Sequence, residues 1–247
     1  GVELRAGAAV LGAEPGAAGW RLRLAEDEVA ARHVVLATGK HALRGHPRAG
    51  AAAGALGLKL HLRGVEAGDA VTLLPFAGGY AGLQPIPGGG ANLCAALHGE
   101  AGVAVRAPAA FLAQVAAGSA LGARLLRDAA PAWDRPLAVA GVPYGWRASA
   151  HGPAGLYRIG DQAAVIPSFT GEGMALALHS GLAAAAAILA GEAAATFQAR
   201  WRRRNAGPMG WAGFGAWVLR QAPGAFTGVA ALRPAARLVA RRTRVAV

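Results

Sequence analysis

The chain has 247 residues, 54% of them hydrophobic, and a formal net charge of +12 at pH 7. That length suits one large domain or two small ones with a real core, and that apolar content excludes an intrinsically disordered chain. Lys40 and Lys59 are the only lysines, so the charge is arginine spread over most of the chain. The single cysteine, Cys94, excludes an internal disulfide or a cysteine-based zinc site and is expected to be a small buried residue.

Residues 1–36 alternate like paired strands. Val2 and Leu4 stand on one side of a Gly/Pro turn region at residues 12–19, with Trp20, Leu22 and Leu24 on the other. Residues 33–37 form a continuous apolar run of the kind used by a buried strand. The run ends in Thr38-Gly39, where glycine lets the backbone turn tightly or approach a ligand. Residues 40–55 are irregular and basic, with Lys40, His41, Arg44, His46 and Arg48.

Strand-like pieces at residues 58–63, 71–76, 79–85 and 92–97 are separated by Gly and Pro clusters, which predicts an antiparallel sheet. Residues 108–117 and 122–129 read as two short helices, with Pro108 suited to a first helical turn, and residues 137–144 are extended again. Tyr80 reads as a proton donor or as filling for a sheet face. Trp133, Tyr144 and Trp146 read as pocket walls or as core.

The most informative segment follows. An apolar run at residues 155–159 leads into the acidic turn Gly160-Asp161, then into the loop Gly171-Glu172-Gly173, then into an alanine-rich stretch without Pro or charge until Glu192. Strand, acidic turn, glycine loop and helix together offer backbone N–H groups and a positive helix end to an anion, beside a carboxylate suited to hydroxyls. The uncharged stretch touches the length of a membrane span, but its alanines, His179 and Ser180 favour a buried helix.

Beyond Glu192 the sequence turns helical and basic, with Arg200 and Arg202 to Arg204, and Trp211, Phe214 and Trp217 recur at helical spacing. Two readings stand for this end: a basic amphipathic surface for anionic membranes, or helices packed on the middle of the chain.

Gly160, Asp161, Ala163, Pro167, Gly171, Gly173 and Met174 match, in register, a known motif. The segment resembles the second FAD-binding motif of flavoprotein monooxygenases related to p-hydroxybenzoate hydroxylase, a group that includes geranylgeranyl reductases and flavin-dependent halogenases. The resemblance implies FAD, with Asp161 on the ribityl hydroxyls and the amides of Gly171 and Gly173 at the pyrimidine edge of the ring. The implied cofactor-binding set is Thr38, Gly39, Gly160, Asp161, Pro167, Gly171, Glu172, Gly173 and Met174. Three positions depart from the pattern: Ala164 replaces His, Ser168 replaces the second Pro, and Ala175 replaces Asn. Thr38-Gly39 stands where the group carries Asp-Gly followed by an Arg, with Arg44 as the counterpart of that Arg. Loss of the Asp leaves NAD(P)H as electron donor an open question. No G-x-G-x-x-G follows a strand in this sequence. The resemblance implies that such a unit precedes Gly1, and that the chain alone holds FAD poorly and is inactive.

The expected fold class is therefore α/β. Residues 1–50 and 151–195 would form an incomplete, Rossmann-like FAD-binding domain. Residues 51–150 would form an inserted mixed or antiparallel-sheet substrate domain, and residues 196–247 a C-terminal helical region. The expected function is an FAD-dependent oxidoreductase, monooxygenase or reductase, acting on an apolar small molecule. The alternatives are a flavin-dependent cyclase or isomerase without net redox change, or an inactive FAD-binding remnant. No catalytic residue can be named. The histidines lack metal-ligand spacing, and neither a metal nor a nucleic-acid partner is expected. The expected location is the cytoplasm, with peripheral membrane contact through the C-terminal region as the alternative.

Overall fold

The computed structural model describes residues 1–51, 54–99 and 107–245. It is an α/β fold, with three sheets among the described residues. The first is an antiparallel sheet of β1 (Gly12–Gly16), β2 (Gly19–Arg23) and β3 (Glu28–Ala31). Here the sequence expectation is corrected. The strand lies in the segment read as a turn, and Val2 and Leu4 are 99% and 87% exposed. The pairing is decided by Ala13 and Trp20, both buried, and the hairpin closes at Ala17-Ala18 between two glycines.

The large sheet has the order β10-β5-β8-β7-β6, with β9 (Ala130–Pro131) paired to β5. Its strands are β5 (Ala55–Arg63), β6 (Thr72–Phe76), β7 (Gly79–Pro85), β8 (Ala91–Leu97) and β10 (Leu137–Val142), all antiparallel. Period-two alternation sends Leu58, Leu60 and Leu62 of β5 to one face. There they pack with Leu74, Leu83 and Leu93 beneath Phe111, Leu112 and Val115 of helix α1 (Pro108–Ala117). Helix α2 (Ala120–Leu125) follows, with the Ser119 hydroxyl accepting the Gly122 N–H at its start.

Cys94 is on the other face of this sheet and is exposed, against the expectation of burial. Its cross-strand neighbours are Gly82 and Lys59, which leave that stretch of sheet uncovered. Ala96, two residues on, is buried because Leu219 of helix α5 (Ala206–Gln221) reaches the sheet there beside Tyr80.

The third sheet is two-stranded and parallel. β4 (Val34–Leu36) pairs with β11 (Leu156–Arg158) in the register Val34 to Leu156, Val35 to Tyr157 and Leu36 to Arg158. The parallel pairing brings the ends of two segments far apart in sequence, Thr38-Gly39 and Gly160-Asp161, to the same edge.

Helix α3 (Gly173–Leu189) buries Leu176, Ser180, Ala184 and Ala187 against β11 and α4 (Ala194–Arg204). Contrary to the expectation of a buried helix, its outer face leaves Met174, Leu178 and Leu182 at least 70% exposed. Only one side of α3 meets other described residues, and the sequence is apolar all round. No helix among the described residues is long and apolar enough to cross a membrane. Helices α6 (Pro223–Ala231) and α7 (Arg233–Thr243) pack on α5, and α6 buries none of its own residues.

Candidate active site: a glycine-walled cleft joined to an aromatic cavity

The Gly160 turn is fastened from two sides. Its N–H donates to Ser180 Oγ at 2.8 Å, and the Ser180 hydroxyl donates to Ala177 O at 3.0 Å, so the turn is held against α3. Gly160 has φ +53°, in the left-handed region that favours glycine, and a Cβ there would lie 3.4 Å from the Ala177 methyl. Gln162, fully buried, donates from Nε2 to Gly39 O and His41 O at 2.8 Å each. Arg48 spans the same gap, donating to Gly39 O at 2.5 Å, Lys40 O at 2.7 Å and Asp161 O at 3.2 Å. Four carbonyl oxygens of two loops are thus satisfied by two side chains, which makes the edge of the parallel sheet one rigid unit.

Between this edge and the start of α3 lies a cleft of about 420 Å³, lined by Gly39, Lys40, Gly160, Asp161, Gly171, Gly173 and Met174 among others. A Cβ on Gly39, Gly171 or Gly173 would meet nothing within 4 Å. Those three glycines therefore present bare backbone to open space, where a flat group can approach closely. Gly171, with φ +73°, ends a short 3-10 turn at Ser168–Thr170. Helix α3 then starts without a side-chain cap, so its first-turn N–H groups face the cleft with no protein side chain as acceptor. The helix dipole adds positive potential at the same place.

Asp161 is the one carboxylate in the lining of this cleft. Burial pushes its carboxyl above the usual range, and the positive charges of Lys40 and Arg48 pull it back. Arg48 is itself pushed below its usual value by burial. The Gly171 N–H is already engaged by Ser168 O at 3.1 Å. The cleft therefore offers an acceptor for hydroxyl groups, two neighbouring cations, and the uncapped first-turn amides of α3 beside a bare glycine wall. That donor set fits a planar, electron-poor ring with a hydroxylated chain, which is what a flavin with its ribityl arm presents.

Of the nine residues in the sequence-derived set, Gly39, Gly160, Asp161, Gly171, Gly173 and Met174 line the cleft. Three are placed elsewhere. The Thr38 hydroxyl donates to His41 O and shapes the loop behind the cleft. Pro167 lines the neighbouring cavity. Glu172 turns its carboxylate away to accept the Val245 N–H at 3.0 Å. The arginine that reaches the acidic turn is Arg48. Arg44, read from sequence as the counterpart of the arginine after the group's Asp-Gly pair, is exposed.

Beside the cleft is a second cavity of about 410 Å³, whose lining includes Tyr80, Tyr144, Trp146 and Pro167, with Trp217 and Arg220 of α5. Tyr144 lines both spaces. Lys40 lies 5.9 Å from the centre of its ring on the cleft side, and the His98 ring centre is 6.5 Å away in the cavity. Trp146 is fixed by an N–H bond to Ala49 O at 3.0 Å and by Arg48 5.8 Å from its ring centre. Trp133, by contrast, stacks on His61 at 4.2 Å and packs against the sheet core.

The bridging roles of Ser180, Gln162 and Arg48 were missed from sequence. A weak signal existed for Ser180, a small polar residue in an otherwise apolar helix. The others reach the site from loops and helices whose approach sequence does not reveal. Among the described residues no group of three or more metal-ligating side chains gathers.

Neither a protein-family model nor a curated protein sequence matches this chain. Solved structures do. A triple mutant of the flavin-dependent brominase Bmp2 superposes with a TM-score of 0.71 at 17% identity, covering 96% of this chain and 64% of that one. The myxobacterial chondrochloren halogenase CndH, a FAD-dependent halogenase, gives 0.65 at 20% identity, covering 96% and 62%. The structure of pqsL from Pseudomonas aeruginosa, named a probable FAD-dependent monooxygenase, gives 0.59 at 18% identity, covering 90% and 66%. The chain shares the fold of these flavin-dependent enzymes and spans less than two thirds of the length of Bmp2 and CndH.

Proposed function

We propose that this chain supplies the ring-and-ribityl half of the FAD site of an oxidoreductase of the monooxygenase type, acting on a small, largely apolar molecule. The observation that carries the reading is the convergence of Asp161, the bare glycine wall and the uncapped start of α3 on one cleft, with Tyr144 as the shared wall to an aromatic cavity. FAD, when bound, would supply the redox chemistry. Asp161 would accept from ribityl hydroxyls, and the uncapped amides at the start of α3, from Gly173 on, would stabilise negative charge on the pyrimidine edge. Tyr144 and Pro167 would separate the ring from the molecule in the cavity, and Trp146 and Trp217 would keep water from it.

Titrating the chain into FAD and following flavin fluorescence tests this reading. Saturable quenching is expected, and Asp161→Ala should weaken it tenfold or more, the loss of a charged acceptor worth about 1.5–3 kcal/mol. Riboflavin should bind nearly as well as FAD, because no G-x-G-x-x-G stands in this sequence to grip the ADP half. Absence of quenching by either flavin, or quenching indifferent to Asp161→Ala, would remove the reading.

The same proposal extends to location. Trp211, Phe214 and Trp217 of α5 are 37%, 58% and 54% exposed, Arg242 of α7 lies over Trp211 at 5.7 Å, and no acidic residue follows Glu192. These features support peripheral contact with an anionic membrane. Sedimentation with anionic vesicles should fall in Trp211→Ser/Phe214→Ser; binding unchanged by that pair would discard the contact.

A further inference from the structure

A third cavity, of about 110 Å³, lies between the loop at residues 148–153, strand β11 and the start of helix α4, and shares no lining residue with the flavin cleft. No Asp or Glu lines it, and hydrogen-bond donors from three sources do. The first is Arg158, half-buried, whose guanidinium reaches only neutral oxygens: Gln162 Oε1 at 3.3 Å and His46 O at 3.4 Å. Among the described residues no carboxylate forms an ion pair with it. Burial, and after it the charge of Arg48, hold Arg158 below the ordinary guanidinium value. The second source is α4 itself. Ala194 and Ala195 begin the helix and line the cavity, and this start has neither a side-chain cap nor an acidic residue in its first turn. Its first N–H groups therefore have no side-chain acceptor. The third is Gln198, one turn along and 5% exposed. Its Oε1 accepts the Arg158 N–H at 3.4 Å, and its buried Nε2 has no acceptor.

We infer that this cavity binds a phosphate group, with Arg158, the first-turn amides of α4 and Gln198 as its donors. Three physical points carry the inference. A phosphate oxygen accepts hydrogen bonds, so one group answers an unpaired cation, free helix amides and an orphaned buried amide together; leaving such a buried donor unmet carries its full desolvation penalty. Helix N-termini favour anions through both their N–H groups and the helix dipole, and a guanidinium fork matches phosphate oxygens in pairs. The volume exceeds what a single water needs. The cavity also opens onto a wider space of about 590 Å³ that shares Trp146 and Ser149 with it, adds Arg147 and Arg202, and again has no Asp or Glu in its lining. That space admits either a free phosphate ion or the organic part of a phosphomonoester. The inference is independent of the FAD reading.

Calorimetric titration of the flavin-free chain with inorganic phosphate and with phenyl phosphate, in chloride buffer at constant ionic strength, tests it. Saturable binding of phosphate is expected, weakened tenfold or more in Arg158→Gln. Ala195 is exposed, so Ala195→Asp leaves packing intact and places a carboxylate of the chain's own at the start of α4. That variant should lose binding of both ligands and melt at a higher temperature than the parent. Tighter binding of phenyl phosphate than of phosphate supports the site with an organic phosphate as its occupant; equal binding supports it with the free ion. Absence of saturable phosphate binding, or binding of the same strength in Ala195→Asp, would overturn the inference. So would unweakened binding in Arg158→Gln. A thermal melt accompanies each variant, and Ala195→Asp decides the matter even if Arg158→Gln fails to fold. Because no flavin is present, none of these outcomes depends on the flavin titration.

Discussion

The Tyr80 hydroxyl lies 2.8 Å from Ser168 Oγ and accepts the Phe169 N–H at 3.2 Å. Tyr144 donates to the same Ser168 oxygen at 3.2 Å. Strand β7, the 3-10 turn before α3 and the loop after β10 therefore meet at one hydroxyl cluster. Ser168 is a departure from the flavoprotein pattern, which has proline there, and the hydroxyl gained is the hub of this cluster. Tyr80→Phe would leave the Phe169 N–H without its partner in a buried place, at a cost of about 1–3 kcal/mol. A drop in Tm of several degrees by circular dichroism is expected, at about 2–4 °C per kcal/mol for a chain of this size.

Tyr80 should also titrate late. Burial, with a smaller contribution from Tyr144, pushes its pKa up to about 12 from an ordinary 10.0. A folded value above the unfolded one means that the stability it contributes is full below pH 10.0 and is lost as pH rises through about 12. Tyrosinate absorbance in an alkaline titration should lose its latest step in Tyr80→Phe, and unfolding by alkali should shift accordingly.

Asp161 trades stability for its place in the cleft. Burial raises its carboxyl above the ordinary 3.8, more than Lys40 and Arg48 lower it. Its contribution is therefore favourable below that value and is lost as pH rises through the higher folded one. Asp161→Asn should be more stable than the parent at pH 7 and no more stable at acid pH, while flavin binds severalfold more weakly to the neutral amide. Denaturant midpoints at the two pH values, with flavin titration, check both halves.

Arg48 should not be replaceable by lysine. Its fork reaches three carbonyls on two loops and covers Trp146, a geometry that a point charge on a flexible stem does not reproduce. Arg48→Lys should cost about 2 kcal/mol, within the usual range for charged hydrogen bonds, measured by urea unfolding.

Gly171 and Gly173 should separate shape from strain. Gly171 has φ +73°, so Gly171→Ala should destabilise by about 1–2 kcal/mol. Gly173 begins α3 with open space around its α-carbon, so Gly173→Ala should raise stability by about 0.5 kcal/mol. Both methyl groups would intrude on the cleft and weaken flavin binding. Melting curves paired with flavin titrations distinguish the two.

Residues 79–85 and 108–117 form a strand and a helix at the bounds read from sequence, because proline and glycine punctuate both segments. The turn at Asp161 and the loop at Gly171 were legible for a similar reason: their backbone shape is local, and glycine spacing records it. The first hairpin was misread because the alternation of Val2 and Leu4 has no core to face, while Ala13, a weak hydrophobic signal, is buried against Trp20. The bridging contacts of Arg48 and Gln162 were not legible because they follow from where distant elements cross. Periodicity carries no record of that.

Glu172 stands at the doorway of α3, yet its carboxylate is engaged by the N–H of Val245, which is 3% exposed. A negative charge next to an anion-favouring helix start is thereby drawn off by a backbone amide more than seventy residues on. Displacing Val245 would release the carboxylate to swing toward the amides it now avoids. The Val245 backbone thus acts as a tether on the site's own competitor, a residue with no chemistry of its own turning a charge away from the cleft.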